Sequence, residues 1–153
     1  MQITISKGQI VLIDDEDEPL IRGAWYITGD GYAARSRGGN KNHRIEYMHR
    51  IVTRAPKGTY VDHINGDKLD NRKSNLRLVT NSENMQNLRG AYRTSRTGIR
   101  GVSPFEGRFR ATVVVNYKQH HIGLFDTIDE AAAAATAARK ALMTHSPECE
   151  EPK

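Results

Sequence analysis

The sequence has few of the features that mark secreted or membrane proteins. Cys149 is the single cysteine among 153 residues, which excludes a disulfide within the chain and a Cys-x-x-Cys zinc site. No apolar run reaches the roughly 18 residues that a membrane helix needs, and no signal-peptide pattern is present. The mean hydropathy of −0.65 leaves room only for small cores. We therefore expect a soluble, intracellular, cytoplasmic protein without a membrane partner.

Acidic residues are scarce in the middle of the chain. The formal net charge of +5 divides into −4 for residues 1–30, +10 for residues 31–100 and −1 for residues 101–153. A basic segment of this kind is typical of proteins that neutralise nucleic-acid phosphates. The alternative interpretation of this charge is that the lysines and arginines simply lie on an ordinary solvated surface.

One polar stretch, Tyr60 to Asn87, reads YVDHINGDKLDNRKSNLRLVTNSENMQN. Aromatic and β-branched residues at its start predict a strand that ends at Asp62 and His63. Turn-forming Asn, Asp, Gly and Ser residues follow and predict a loop, after which apolar residues at 76–79 predict a returning strand.

A helix is predicted to follow, because Thr80 and Glu83 stand at the spacing of a capping box. Asn84 falls in the first turn of that helix. The order of strand, loop, strand and helix predicts that Asp62, His63 and Asn84 surround one small space.

These side chains suit metal-assisted cleavage of a phosphodiester. Asp62 and the amide oxygen of Asn84 are hard donors, appropriate to a Mg²⁺ that keeps several waters. An unprotonated His63 imidazole can accept a proton from water near neutral pH. Asn75 precedes the returning strand, where its amide can bond both sides of the loop and hold His63 in place. An inactive loop with a surface histidine is the alternative interpretation.

The run VDHINGDKLDNRKSNLRLVTNSEN resembles the HNH endonuclease motif of the ββα-metal superfamily, in the form common among phage and intron-encoded homing endonucleases. The resemblance implies His63 as general base, Asn75 as the loop-fixing residue, and Asp62 with Asn84 as metal ligands. Many relatives have His where this chain has Asn84, and homing-type members use Asn there. The implied cofactor is one Mg²⁺, or Mn²⁺, per active site, and the implied products carry 5′-phosphate and 3′-hydroxyl ends.

The first segment, to about Arg54, is predicted to be mostly β. Strand candidates are residues 9–13 and 25–27, and Trp25 is interpreted as a core anchor rather than a base-stacking residue. Residues 47–52 are apolar enough to form a strand or a short helix that packs under the metal site. His49 in this segment is assigned to packing rather than to catalysis.

Basic residues flank the motif on both sides. A Gly-rich stretch, Ser36 to Asn42, is expected to be mobile or ordered by DNA. The segment 88–100 is predicted to be a basic linker that follows the DNA backbone or enters the minor groove. The alternative is a flexible tether that joins the two parts of the chain. The DNA contacts predicted in and around these segments are Arg50, Arg89, Arg93, Arg96 and Arg100.

The C-terminal part alternates polar and apolar residues from Arg108 to Val115, which places Phe109 and Ala111 on one face of a strand and Arg110 and Thr112 on the other. A turn at 116–118 and a second strand at 120–125 are predicted to follow. Thr127 and Glu130 then form a capping box ahead of an alanine-rich helix. The predicted unit is two or three strands followed by a helix.

The runs GIRGV at 98–102, GRFRA at 107–111 and IGLFDT at 122–127 resemble the plant ethylene-response-factor DNA-binding domain. The resemblance implies a three-stranded sheet that lies in the major groove against a packed helix. It also implies DNA contacts from the open face of the sheet, which here comprise Arg100, Ser103, Arg108, Arg110, Thr112 and His121. The face has fewer Arg and Trp residues than plant members have, so phosphate contacts from Arg108 and Arg110 are favoured over strict base readout.

The predicted fold class is α+β. The boundaries are an HNH nuclease domain with an N-terminal β-rich segment at 1–88, a basic linker at 89–97, the ethylene-response-factor-like domain at 98–144 and a charged tail at 145–153. The predicted function is a divalent-metal-dependent homing-type DNA endonuclease, acting on double-stranded DNA as monomer or homodimer, with no small-molecule substrate. The alternative is a non-catalytic DNA-binding regulator that uses the HNH fold as a scaffold. An RNA-processing nuclease is disfavoured, because a sheet shaped for the major groove does not suit A-form RNA.

Overall fold

The computed structural model describes residues 1–39 and 44–149, and part of the Gly-rich stretch, residues 40–43, lies outside these ranges. The chain forms two compact units, Met1–Thr80 and Asn81–Lys153. Helices and strands are mixed in both, which confirms the α+β class. The second unit begins before the predicted boundary at residue 88, so it includes the helix expected to complete the HNH motif. No helix in the described ranges is long and apolar enough to span a membrane.

The first unit is built from short strands. They are β1 (Gln2–Thr4), β2 (Ile10–Leu12), β3 (Tyr26–Ile27), β4 (Ala33–Arg37), β5 (Arg44–Tyr47), β6 (Tyr60–His63) and β7 (Leu76–Val79), with helix α1 (Met48–Val52) between β5 and β6. These strands pair in antiparallel fashion: β1 with β2, β4 between β3 and β5, and β6 with β7. Leu12 of β2 also forms an isolated parallel bridge with Asp70. The β-rich character predicted for this segment is confirmed.

Trp25 is a core residue, as predicted. Its side chain is 4% exposed, its indole N–H donates to the carbonyl of Ile21, and the Arg35 guanidinium lies 4.9 Å from its ring centre. Met48 from α1 and Leu76 from β7 belong to the same buried cluster. Residues 48–52 are therefore the short helix of the two alternatives, and Met48 of α1 shares its buried core with Leu76 of β7.

The second unit contains α2 (Asn81–Gln86), the strands β8 (Val102–Phe105), β9 (Arg108–Val115) and β10 (Lys118–Phe125), and α3 (Ile128–Leu142). The strands form an antiparallel sheet with β9 in the centre. Ala111 of β9 packs with Ala131 and Ala135 of α3 in a buried cluster. The predicted three-stranded sheet and helix are therefore present.

The capping box that predicted the start of α3 is confirmed. The Thr127 hydroxyl accepts from the Glu130 amide at 3.3 Å, and the Glu130 carboxylate accepts from the Thr127 amide at 3.2 Å. This reciprocal cap satisfies two amides that have no partner within the helix. After α3 the chain is packed rather than extended: Ser146 is fully buried and Glu148 pairs with Arg139.

Gly101→Ala is expected to destabilise the protein by about 2–4 kcal/mol. Gly101 has φ +80°, and a Cβ at this position would lie 2.5 Å from the Thr112 carbonyl oxygen. Gly107→Ala is the matched control. Gly107 has φ +76°, but a Cβ added there would meet no atom within 4 Å. The loss of unfolding free energy in this variant should therefore stay near 1–2 kcal/mol. Denaturant unfolding of the full chain measures both values. If both variants lost the same unfolding free energy, a clash with the Thr112 carbonyl oxygen would not explain the effect of Gly101→Ala.

Candidate active site

Asp62 lies near the end of β6, directly opposite Arg77 of β7 in the strand register. The carboxylate of Asp62 is 5% exposed, and its Oδ2 accepts from both Nε and Nη2 of Arg77 at 2.8 Å. Both nitrogens contact the same carboxylate oxygen, so Arg77 restrains the position of Oδ2. Because strand side chains alternate, the next residue, His63, projects from the other face of the ribbon.

The loop between β6 and β7 is organised around Asn75, which is 3% exposed. Its side-chain oxygen accepts from the Asn65 amide at 3.0 Å, and its Nδ2 donates to the Asp70 carbonyl at 2.8 Å. Its own carbonyl accepts from the Ile64 amide at 2.9 Å. Asn75 therefore bonds both sides of the loop, as its position predicted, and anchors the backbone that follows His63. A role in catalysis stays a prediction.

Asn75→Ala is expected to destabilise the protein by about 2–3 kcal/mol, because the Asn65 amide and the Asp70 carbonyl lose the buried Asn75 side chain as their partner. Ser74→Ala is the matched control, since Ser74 is exposed and its replacement should change stability by less than about 0.5 kcal/mol. Denaturant unfolding measures the difference. Similar stability of the two variants would show that the Asn75 bonds do not support the loop.

His63 is buried against other rings of the first unit. The ring centre of His49 lies 5.3 Å away in an edge-to-face arrangement, and that of Tyr32 lies 5.9 Å away. Tyr47 stacks on His49 at 5.5 Å. We refer to Tyr32, Tyr47, His49 and His63 as the ring cluster. Its packing restricts the rotation of the His63 imidazole.

Burial lowers the pKa of His63, although an interaction with the Asn71 side chain and the charges of Asp62, Asp67 and Asp70 raise it in part. The imidazole is therefore neutral near pH 7 and keeps a nitrogen lone pair that can accept a proton. Burial also raises the pKa of the neighbouring Tyr32 hydroxyl, and the charges of Asp30 and Asp62 add to this effect.

His49 is expected to make stability depend on pH. Burial first, then the charges of His63 and Arg50, lower its pKa to about 4 from an ordinary value of 6.5. The unfolded chain therefore binds a proton before the folded chain does, so His49 costs no stability above pH 6.5. The loss grows as pH falls toward 4 and amounts to about 2 kcal/mol at pH 5.

Denaturant unfolding at pH 7 and pH 5 tests this expectation. His49→Gln removes the titrating group, so the variant should lose about 2 kcal/mol less than the parent over that interval. Equal losses in both proteins would contradict the lowered pKa of His49.

Asn84 lies in α2, in the second unit, and its side chain is half-buried. Its role as a metal ligand together with Asp62 stays a prediction. Within residues 1–39 and 44–149, no three His, Cys, Asp or Glu side chains are grouped as a metal site. One carboxylate and one amide oxygen nevertheless fit Mg²⁺, which binds through one or two carboxylates and keeps several waters.

Several of the arginines predicted to bind DNA have partners in the structure. Arg50 donates to the carbonyls of Ala55, Pro56 and Thr59, and Arg108 pairs with Asp126 at 2.7 Å. Arg100 donates to the carbonyls of Gln86 and Leu88. These contacts give all three an intramolecular role, and DNA contacts from them stay predictions.

The remaining predicted DNA contacts lie in the second unit. Arg89, Arg93 and Arg96 are found in the segment between α2 and β8, where Arg93 is exposed and Arg89 and Arg96 are at least partly exposed. Arg110 lies over the Phe105 ring at 5.0 Å, opposite Ser103 in the register, and Thr112 lies opposite His121. Ser103, Arg110, Thr112 and His121 therefore share the sheet face that does not pack on α3, as the alternation predicted.

The sequence interpretation missed two contacts at the candidate site. Arg77 was not assigned a role, although the register of two antiparallel strands starting at Tyr60 and ending at Val79 places it opposite Asp62. Tyr32 was not assigned a role either, and no local pattern indicates that its ring reaches His63. Lys68 from the loop lies over the Tyr32 ring at 4.6 Å and donates to the Asp30 carbonyl.

Residues 43–86 match the HNH endonuclease family. The chain is 33% identical over 128 residues to an uncharacterized HNH endonuclease of Acanthamoeba polyphaga mimivirus, covering 82% of this chain and 66% of that protein. It is 35% identical over 79 residues to Protein 3.8 of Escherichia phage T7, covering 50% of this chain and 64% of that protein.

The chain thus spans just under two thirds of the length of these two relatives. A second uncharacterized mimivirus HNH endonuclease is 49% identical over 47 residues, which cover 30% of this chain and 12% of the relative. No solved structure matches the chain with statistical significance. The comparisons support the prediction of a nuclease, and they identify residues 43–86 as a domain of the HNH endonuclease family.

Proposed function

We propose that the protein is a divalent-metal-dependent DNA endonuclease of the homing type. The observation that carries the proposal is the arrangement at the end of β6, where a neutral, buried His63 follows a restrained Asp62 carboxylate and precedes the loop anchored by Asn75. It lies within the segment that matches the HNH endonuclease family. The basic charge of residues 31–100 supports DNA as the substrate.

His63 is proposed as the general base. Its neutral imidazole accepts a proton from the water that attacks the scissile phosphorus. The ring cluster limits rotation of the imidazole, and Asn75 holds the backbone next to it, so the accepting nitrogen is oriented before the substrate arrives.

Asp62 and Asn84 are proposed as the ligands of one Mg²⁺ or Mn²⁺ ion per active site. The bound ion supplies positive charge beside the scissile phosphate and the leaving oxygen. Arg77 restrains the position of the Asp62 Oδ2 atom through its two contacts. The expected products have 5′-phosphate and 3′-hydroxyl ends.

DNA contacts are proposed along the second unit. Arg89, Arg93 and Arg96 provide phosphate contacts, while Arg110 and Thr112 lie on the open face of the β8–β10 sheet. We also retain Arg50, Arg100 and Arg108 as proposed contacts. A sheet face and a basic segment that bind one DNA molecule raise the local concentration of substrate at the cleavage site.

A cleavage assay on supercoiled plasmid tests the proposed function. The parent protein should convert the plasmid to nicked or linear DNA with Mg²⁺ and leave it intact with excess chelator. A phosphatase-sensitive 5′ end on the product would support the expected polarity. DNA binding without any cleavage across Mg²⁺ and Mn²⁺ would favour the second candidate, a DNA-binding regulator with an inactive HNH domain.

A further inference from the structure

The helix that carries Asn84 is hydrogen-bonded at its start to the turn between β9 and β10, and at its end to Arg100, which lies just before β8. We propose that these contacts position α2 for catalysis, with Tyr117 and Arg100 as positioning residues for Asn84. The inference rests on the proposed function, in which Asn84 is a metal ligand. It gives the C-terminal module a second role beyond binding DNA, because the module also holds part of the nuclease site.

The first contact is made by the turn between β9 and β10. Asn116 and Tyr117 have φ +49° and +63°, so both residues are left-handed, as in a type I′ hairpin turn. Asn is common in this conformation, but a bulky aromatic residue is an outlier there. The Tyr117 hydroxyl accepts from Asn81 Nδ2 at 3.1 Å, and Asn116 Oδ1 accepts from the Ser82 hydroxyl at 3.0 Å. The unusual tyrosine thus carries a hydroxyl to the first residue of α2.

The second contact is made at the C-terminal end of α2. The Arg100 guanidinium donates to the carbonyls of Leu88 and Gln86, the latter at 3.0 Å. The last carbonyls of a helix have no partner within it, so a cation at this end satisfies them and opposes the negative end of the helix dipole. The Gln86 side chain is 5% exposed and accepts from the Thr144 and His145 amides at 3.0 and 3.2 Å.

These polar contacts matter because apolar packing of α2 is incomplete. A cavity of about 400 Å³ lies within the second unit, bounded by Met85 and Leu88 on one side and by Val102 and Val114 on the other. An isolated helix of six residues is far too short to be stable in water. The order of α2, and with it the position of Asn84, therefore depends on the hydrogen bonds at its ends.

Hydrogen exchange of the full-length protein tests the positioning role without relying on activity. Tyr117→Phe removes one hydroxyl, and Arg100→Gln removes the cation that binds two carbonyls. Both variants should exchange the amides of residues 84–88 about three- to tenfold faster than the parent. Tyr26→Phe is the matched control, because it also removes a tyrosine hydroxyl, and that hydroxyl contacts Ser36 within the first unit.

Mn²⁺ affinity, DNA affinity and the rate of cleavage at saturating DNA complete the test. We expect Tyr117→Phe to weaken Mn²⁺ binding and to lower the rate about three- to tenfold, with the Kd for DNA within twofold of the parent value. Arg100→Lys retains the charge and should fall between Arg100→Gln and the parent. Melting temperatures of the variants confirm that each one is folded.

The possible results separate this inference from the proposed function. Unchanged exchange of residues 84–88 in Tyr117→Phe and in folded Arg100→Lys would overturn the positioning role. If the amides of residues 84–88 exchanged faster while the cleavage rate and the Mn²⁺ affinity stayed at the parent values, the role of Tyr117 and Arg100 in catalysis would be overturned. A parent protein that neither cleaves DNA nor binds Mn²⁺ would refute the proposed function, and the positioning role of Tyr117 and Arg100 in catalysis would fall with it.

Discussion

His63→Ala is expected to lower the single-turnover rate of DNA cleavage by about 10²–10⁴-fold, the usual contribution of a general base. The variant loses the nitrogen proposed to accept the proton of the attacking water, whereas the basic surface proposed to bind DNA is unchanged. The Kd for DNA should therefore stay within about twofold of the parent value. Quenched-flow cleavage and fluorescence anisotropy on the same DNA measure the two quantities.

His120→Ala is the matched control for this experiment. His120 is an exposed histidine in β10 that belongs to no proposed site, so its variant should cleave at nearly the parent rate. Because His63 is buried, a melting curve must show that His63→Ala remains folded. Equal cleavage by a folded His63→Ala and the parent would remove His63 from the mechanism.

Asp62→Asn is expected to lower the rate at physiological Mg²⁺ by about 10²-fold or more, since several kcal/mol of charge stabilisation depend on the bound ion. Asn preserves the size of the side chain and one acceptor for Arg77, so the loss reflects the charge of the carboxylate. A tenfold increase in Mg²⁺ should restore part of the rate in this variant and none of it in His63→Ala. The dependence of the rate on Mg²⁺ concentration distinguishes the two roles.

Asp126→Asn is the control for the loss of a carboxylate. Asp126 is exposed and pairs with Arg108 in the second unit, so its replacement should leave the Mg²⁺ dependence unchanged. If the cleavage rate of Asp62→Asn depended on Mg²⁺ concentration in the same way as that of the parent, Asp62 would not be a metal ligand. A complete loss of folding would instead assign the carboxylate to the buried pair with Arg77.

The parts of the fold that the sequence predicted are those with a local physical signal. Turn-forming residues after His63 predicted the loop, and the polar amide of Asn75 predicted bonds to both of its sides. The Thr127 capping box predicted the start of α3. In each case the interacting groups are close in sequence, so residue type and spacing carry the information.

The parts that were not predicted depend on contacts between distant residues. Tyr32 and His63 come from separate segments of the first unit, and no periodicity in either segment indicates that their rings meet. Hydrogen bonds from Asn81 and Ser82 to the β9–β10 turn connect residues far apart in the chain, which helps to explain why α2 falls in the second unit. Arginine composition predicted a basic surface, but not that Arg50 and Arg100 would bind carbonyls within the chain.

Addition of Mn²⁺ to protein labelled with nitrogen-15 and carbon-13, followed by NMR, tests most directly whether Asp62 and Asn84 bind one ion next to His63. Substoichiometric Mn²⁺ should selectively broaden the carboxylate signal of Asp62, the ring signals of His63 and the side-chain amide of Asn84, and excess Mg²⁺ should reverse the effect. Broadening at Asp62 that leaves Asn84 sharp, or broadening spread evenly over surface carboxylates, would contradict a shared metal site.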